Sequence, residues 1–159
     1  MASRPDPAAD EIECAEVFAR LGDDRRAGRY RDAVRSLLDY LHSEPDNSAG
    51  RRLELLLSIG SLVTADALRA RIPARSPAPG EFWSLQPVTV DAEETSSPDD
   101  VAALRALVAE LNGDHSAALD VIAAHLAVTG PEGILPLLGS MVSLYVATVD
   151  GDLPCSQRS

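Results

Sequence analysis

The sequence predicts an all-α protein, and three observations carry that prediction. Apolar residues recur at three- and four-residue spacing over six or seven stretches. Those stretches are punctuated by glycine, proline and capping residues at helix-like intervals. Aromatic residues make up only 4% of the chain, which disfavours a β-sandwich. With 159 residues, 45% hydrophobic and 25% charged, the chain is long enough for one domain with a proper core.

The first helix is expected over residues 10–27, where Ile12, Ala15, Phe18 and Leu21 share a face and Gly28 ends the run. A second follows over 30–43, with Ala33, Val34, Leu37, Leu38 and Leu41 on one stripe, closed by the turn Glu44-Pro45-Asp46-Asn47. Ser48 is placed to cap a third, which carries Leu53, Leu56, Leu57 and Ile59 and reaches Ile72. Gly60-Ser61 leaves open whether that helix is one piece or two. Residues 73–97 are different in kind: four prolines, an acidic run and no helical period define a Pro-rich linker. In its middle lie Phe82 and Trp83, the latter the only tryptophan. They either fold back to plug a groove between the helical halves or form a displayed motif for another protein.

Ser97, Pro98, Asp99 and Asp100 then make an explicit helix start, favoured by capping and by the positive end of the helix dipole. Val101, Leu104, Val108 and Leu111 fall on one face before Asn112-Gly113. Asp114 is placed to cap a further helix reaching Thr129, and Gly130-Pro131 separates it from the last. That last helix is apolar nearly all round, which calls for burial in a core or in an oligomer contact. Its apolar run, 134–149 from Ile134 to Val149, is short for a bilayer span and is interrupted by Pro136 and Gly139. The expected organisation is 1–72 and 98–150 as helical units, 73–97 as linker and 151–159 as a frayed tail, all within one compact domain.

Charge and residue usage exclude several functions. The net charge of −11 disfavours nucleic acid or an anionic membrane as the main partner. All 14 basic residues are arginine. Without lysine there is neither a Walker-type phosphate loop nor Schiff-base chemistry. This arginine-only usage points to a GC-rich bacterial genome. The polar start lacks a signal-peptide pattern, and two distant cysteines, Cys14 and Cys155, read as free thiols. A cytoplasmic location follows as an expectation.

The inventory for catalysis is thin. His42, His115 and His125 have no metal-ligand spacing, and no HExxH or G-x-S-x-G motif occurs. Neither a cofactor nor a metal is expected. The acidic pairs Asp23-Asp24, Glu93-Glu94 and Asp99-Asp100 do not face each other on a helix, so capping and solvation explain them better than a catalytic dyad. Arg20, Arg25, Arg26, Arg29, Arg31 and Arg35 cluster around the first helical turn, interleaved with aspartates. They read either as surface ion pairs or as a patch for carboxylates.

The two halves resemble each other. Residues 28–37 align without a gap on 113–122, an offset of 85 that pairs Gly28 with Gly113 and Ala33 with Ala118. The first copy reads Phe18-x2-Leu21-Gly22-x2-Arg25, then Ala33-x3-Leu37, then Pro45. The second reads Val101-x2-Leu104-Arg105-x2-Val108, then Ala118-x3-Ile122, then Pro131. This spacing resembles the tetratricopeptide repeat. Arg25 stands where that family has an aromatic, and Arg105 where it has a small residue. The resemblance implies antiparallel helix pairs in two three-helix units, with Gly22 and Ala33 letting paired helices nest around Phe18, Leu21 and Leu37.

It also implies binding of a protein or peptide in a helical groove, as an adaptor or regulatory subunit and not as an enzyme. Carried onto the first copy, the groove positions are Glu16, Ala19 and Asp23, with Arg20 and Arg26 beside them; Phe82 and Trp83 are the other candidate contacts. Because such repeats stack in threes or more, a homodimer through 134–149 is expected to complete the core. Two further readings stand beside it. One is a small acidic neutralising protein of the immunity or antitoxin type. The other is an all-α enzyme or small-molecule binder, which a buried polar pocket around His115, His125 and Tyr145 would favour.

Overall fold

The computed structural model describes residues 7–43, 48–71, 82–85, 97–151 and 155–158, with 82–85 and 155–158 as backbone. The protein is all-α. Six helices follow in order among the described residues: α1 (Pro7–Arg26), α2 (Tyr30–His42), α3 (Ala49–Arg71), α4 (Pro98–Leu111), α5 (His115–Thr129) and α6 (Ile134–Asp150). A single 3-10 turn, Pro131–Gly133, leads into α6. The Glu44–Asn47 turn and most of the linker, residues 72–81 and 86–96, lie outside the described residues.

Helix ends follow their local chemistry. The Ser97 hydroxyl accepts from the Asp100 amide, with Pro98 in the first turn of α4. The Asp114 carboxylate accepts from the Ala117 amide to start α5. Ser48 is different: its carbonyl accepts from the Arg52 amide, but its hydroxyl is buried without a hydrogen-bond partner among the described residues, so it does not cap α3 through its side chain. The α1–α2 and α4–α5 turns share one geometry. Gly28 and Gly113 take φ of 73° and 76°, where a Cβ is strained. The amides of Arg29 and Asp114 reach back to Asp24 and Ala109, five residues earlier, in the manner of a Schellman cap.

Packing centres on α3 and α6. They lie against each other, α1 packs on both, and α4 packs on both. α2 rests mainly on α1, and α5 on α4. Phe18 of α1 is fully buried and meets Tyr145 of α6 edge-on, with ring centroids 5.5 Å apart. The same ring occupies the space a Cβ on Gly60 would need, and Tyr145 occupies the space a Cβ on Gly22 would need. This differs from the expected nesting of Gly22 against its own hairpin partner: the notch admits α6. It also explains why α3 runs unbroken through Gly60-Ser61, since that glycine serves packing and not a break.

One expectation is corrected here. The tail is not wholly frayed, because the backbone of β1 (Phe82–Leu85) pairs antiparallel with β2 (Cys155–Arg158). Helical periodicity cannot find a four-residue strand whose partner is some seventy residues away. The last helix, expected from about Pro131 to Val149, takes the form of the Pro131–Gly133 turn followed by α6. With the 3-10 turn it forms Pro131–Asp150, 20 residues long and apolar enough by length and composition to cross a membrane. In this fold Leu137, Leu138, Met141 and Val142 of that helix are buried within the chain.

Gly60→Ala is expected to lower stability by about 1–3 kcal/mol, because overpacking against the Phe18 ring outweighs the helix propensity gained. Gly139→Ala meets open space and should raise stability by about 0.5–1 kcal/mol. Urea denaturation of the two variants checks both signs.

Candidate functional site: an apolar cleft between the second and last helices

The apolar arc of α2 is wider than its neighbours can cover. At 100° per residue, Ala33, Leu37, Tyr30, Leu41, Val34 and Leu38 span roughly 140° of the helix. Ala33, Leu37 and Leu41 pack against the core. The rest of the arc spills into solvent: Tyr30 is 64% exposed, Val34 57% and Leu38 48%. Leu135 of α6, 57% exposed, lines the same hollow as Tyr30 and Val34. Exposed large apolar side chains that share one surface mark interaction sites more often than isolated ones do.

Between α2 and α6 lies a cleft of about 260 Å³. α1 contributes Leu21 and Arg25, α2 contributes Tyr30, Ala33, Val34 and Leu37, and α6 contributes Leu135, Leu138, Gly139 and Val142. Arg25 is the one charged residue in this lining. Its guanidinium donates to the Gly139 carbonyl at 3.0 Å, which ties α1 to α6. The Ser143 hydroxyl donates to the same carbonyl at 2.9 Å.

The arginine cluster divides into tied and untied members. Arg29 binds buried Asp24 at 2.9 Å, and Arg26 binds Asp150 of α6 at 2.6 Å. Arg20, Arg31 and Arg35 are exposed and have no ion-pair partner among the described residues. Arg31 and Arg35 flank the Val34–Leu38 edge of the exposed stripe.

The groove positions carried over from the repeat family do not line this cleft. Glu16, Ala19, Arg20, Asp23 and Arg26 fall on the other side of α1 from Leu21 and Arg25. Glu16, Arg20, Asp23 and Arg26 are exposed and Ala19 is half-buried. Phe82 and Trp83 belong to β1, and their side chains lie outside the described residues. Sequence reasoning therefore missed the cleft, although one signal was available: the stripe Tyr30, Val34, Leu38 continues past what an antiparallel partner helix can bury.

His115, His125 and Tyr145, whose convergence on a polar pocket would favour an enzyme or small-molecule binder, lie apart. His115 contacts the buried carboxylate of Glu110 at 2.5 Å, and the Ser61 hydroxyl donates to that carboxylate at 3.2 Å. His125 contacts Asp99 at 2.7 Å, at the opposite end of the α4–α5 pair. Tyr145 is in the core against Phe18, and burial raises its hydroxyl pKa. The two histidines thus clasp α5 to α4 at separate ends. His42 contacts the Leu38 carbonyl of its own helix at 2.8 Å. Asp100 accepts from Ser140 at 2.7 Å, which holds its carboxyl below the ordinary range. No group of three or more metal-ligating side chains converges among the described residues.

Cys14 is a free, fully buried thiol beside Tyr40. Burial pushes its pKa up to about 11, partly offset by the hydrogen bond from Tyr40. Arg52 stacks on the Tyr40 ring at 4.7 Å and donates to the Tyr40 carbonyl at 2.6 Å. A second hollow, about 510 Å³, runs along α4 and α5 past Val101, Arg105 and His125. Its other walls are mainly alanine and valine, so no row of large apolar side chains is exposed there.

No protein-family model matches the chain, and neither a curated protein nor a solved structure matches it.

Cys14 is expected to resist a thiol reagent at pH 8 in the folded protein and to react after denaturation, since a thiol of pKa about 11 is about 0.1% thiolate there. Between pH 9 and 11 the unfolded chain ionises Cys14 while the folded chain keeps it neutral. Stability therefore falls as pH rises through that window, and Cys14→Ala should make the fall shallower in denaturant titrations.

Proposed function

We propose that the chain is a protein-binding module, an adaptor or regulatory subunit that holds a segment of another protein in the α2–α6 cleft. The observation that carries this reading is the apolar hollow lined by the exposed side chains of Tyr30, Val34 and Leu135, with Leu38 exposed one turn further along α2. A free surface of this kind costs solubility unless something covers it. The hollow is smaller than the about 300–1,000 Å³ of ordinary small-molecule sites. That favours a row of side chains over an enclosed ligand.

The tetratricopeptide-like reading, two three-helix units joined by the Pro-rich linker, is supported by the matching turns 85 residues apart and by the paired packing of α1 on α2 and α4 on α5. In this reading the binding face differs from the family's usual one: the second helix of the first pair supplies it, and not the first. Binding to another protein in the cytoplasm, without turnover, suits an acidic chain whose histidines are spent on helix packing.

The test is affinity capture from native cytoplasm with the wild type and Val34→Asp, followed by mass spectrometry. Val34 is exposed, so the variant should fold as judged by circular dichroism. The expected result is a partner retained at about 0.5 M NaCl, where surface charge is largely screened, and lost with Val34→Asp. A partner held equally by both proteins and released by salt contradicts the cleft and favours the acidic neutralising protein, since residues 76–159 hold 12 acids against 2 arginines.

A further inference from the structure

We infer that the segment held in the cleft carries a side-chain carboxylate between large apolar residues, and that Arg25 receives it. The inference rests on the binding role of the cleft and adds the chemistry of its occupant.

Arg25 is out of keeping with its surroundings. It is partly buried, and the rest of the cleft lining is leucine, valine, alanine, tyrosine and glycine. Drawing a cation out of water is costly unless an anion and hydrogen bonds offset the loss. No acid belongs to this lining. The buried acid beside Arg25 in sequence, Asp24, is taken by Arg29 at 2.9 Å. Arg25 itself has no ion-pair partner among the described residues. Its one hydrogen bond there goes to the Gly139 carbonyl at 3.0 Å, whereas a guanidinium has five N–H donors. Gly139 lines the cleft too, so that bond seats the guanidinium against the α6 wall. The donors left over suit a carboxylate, which guanidinium takes in a forked geometry.

The place of Arg25 along α6 then decides where the carboxylate falls within the segment. Leu135 lies four residues before Gly139 and Val142 three after it, and both line the cleft. Each is about one helical turn away. A carboxylate at Arg25 therefore has apolar wall on both sides of it, and Tyr30 and Val34 extend that wall from α2. This calls for an acidic side chain inside an apolar stretch, not for a chain end. A second copy set face to face through the same cleft would bring no acid to Arg25, because its own lining has none.

The test is selection from a displayed peptide library with large apolar residues flanking one position drawn from Asp, Glu, Asn, Gln, Ser and Arg. It is run on the wild type, Arg25→Gln and Val34→Asp, with folding checked by circular dichroism. Glutamine can still donate to the Gly139 carbonyl but carries no charge. On the wild type, Asp and Glu should be enriched at least about tenfold over Asn and Gln, as expected for a hydrogen bond between charged groups away from full solvent. Arg25→Gln should lose that preference and keep the apolar one, and Val34→Asp should lose both. Apolar peptides enriched on the wild type without a preference for acid overturn the inference and leave the cleft reading standing. So does an equal acid preference on the wild type and Arg25→Gln. No enrichment on any protein overturns both. If Arg25→Gln does not fold, the wild type decides alone: a Glu peptide should shift the Arg25 Nε–H resonance and bind more tightly than its Gln counterpart, and equal affinities overturn the inference. Octanoate bound as tightly as the Glu peptide would assign the cleft to a small amphipathic acid. A dimer in ultracentrifugation that is lost in Val34→Asp would assign it to a second copy. Either result overturns the inference.

Discussion

The fold depends on how one ring is seated. Phe18 enters the space left by Gly60 on α3 and meets Tyr145 of α6 edge-on, while Tyr145 in turn fills the space left by Gly22. Each glycine makes room for an aromatic from a neighbouring helix, so α1, α3 and α6 lock together in one exchange of shapes. Aromatic side chains bring a large buried area, and an edge-to-face pair adds about 0.5–1.5 kcal/mol beyond it. Among the described residues no other pair of aromatic rings is in contact.

The same arrangement explains why a cleft exists. α6 is drawn onto α1 and α3 by Tyr145 and held near its middle by the Arg25–Gly139 bond. α2 is held by α1 through the Gly28 turn and the Asp24–Arg29 pair. Nothing comparable draws α2 toward α6, so their facing apolar side chains stay apart. In the second half the corresponding helix, α5, is clasped to α4 by His115 and His125, and α2 and α5 both also reach α3.

Much of the architecture was legible in the sequence, because caps and breakers act locally. Ser97, Asp114, Gly28 and Gly113 mark helix ends through hydrogen bonds and backbone angles that depend on a few neighbouring residues. What was not legible depends on long-range choice. Gly22 reads as a notch for its hairpin partner and is filled by Tyr145, more than a hundred residues away. Gly60 reads as a possible break and is a seat for a ring. The candidate site followed the same pattern. The repeat family's spacing pointed to Glu16, Ala19 and Asp23, while the exposed apolar arc lies on α2, where periodicity reports amphipathicity but not how much of the arc a neighbour covers.

The central claim is that α2 stands free of α6 while Phe18 holds α1 closed on α3. Solvent paramagnetic relaxation of methyl groups, read by NMR with a soluble spin probe, tests it most directly. The account expects strong enhancement at Val34, Leu38 and Leu135 and little at Leu56 and Leu107, which are buried in the core. Methyls of Val34 and Leu135 as protected as those of Leu56 and Leu107 would mean that α2 closes on α6, and would contradict it.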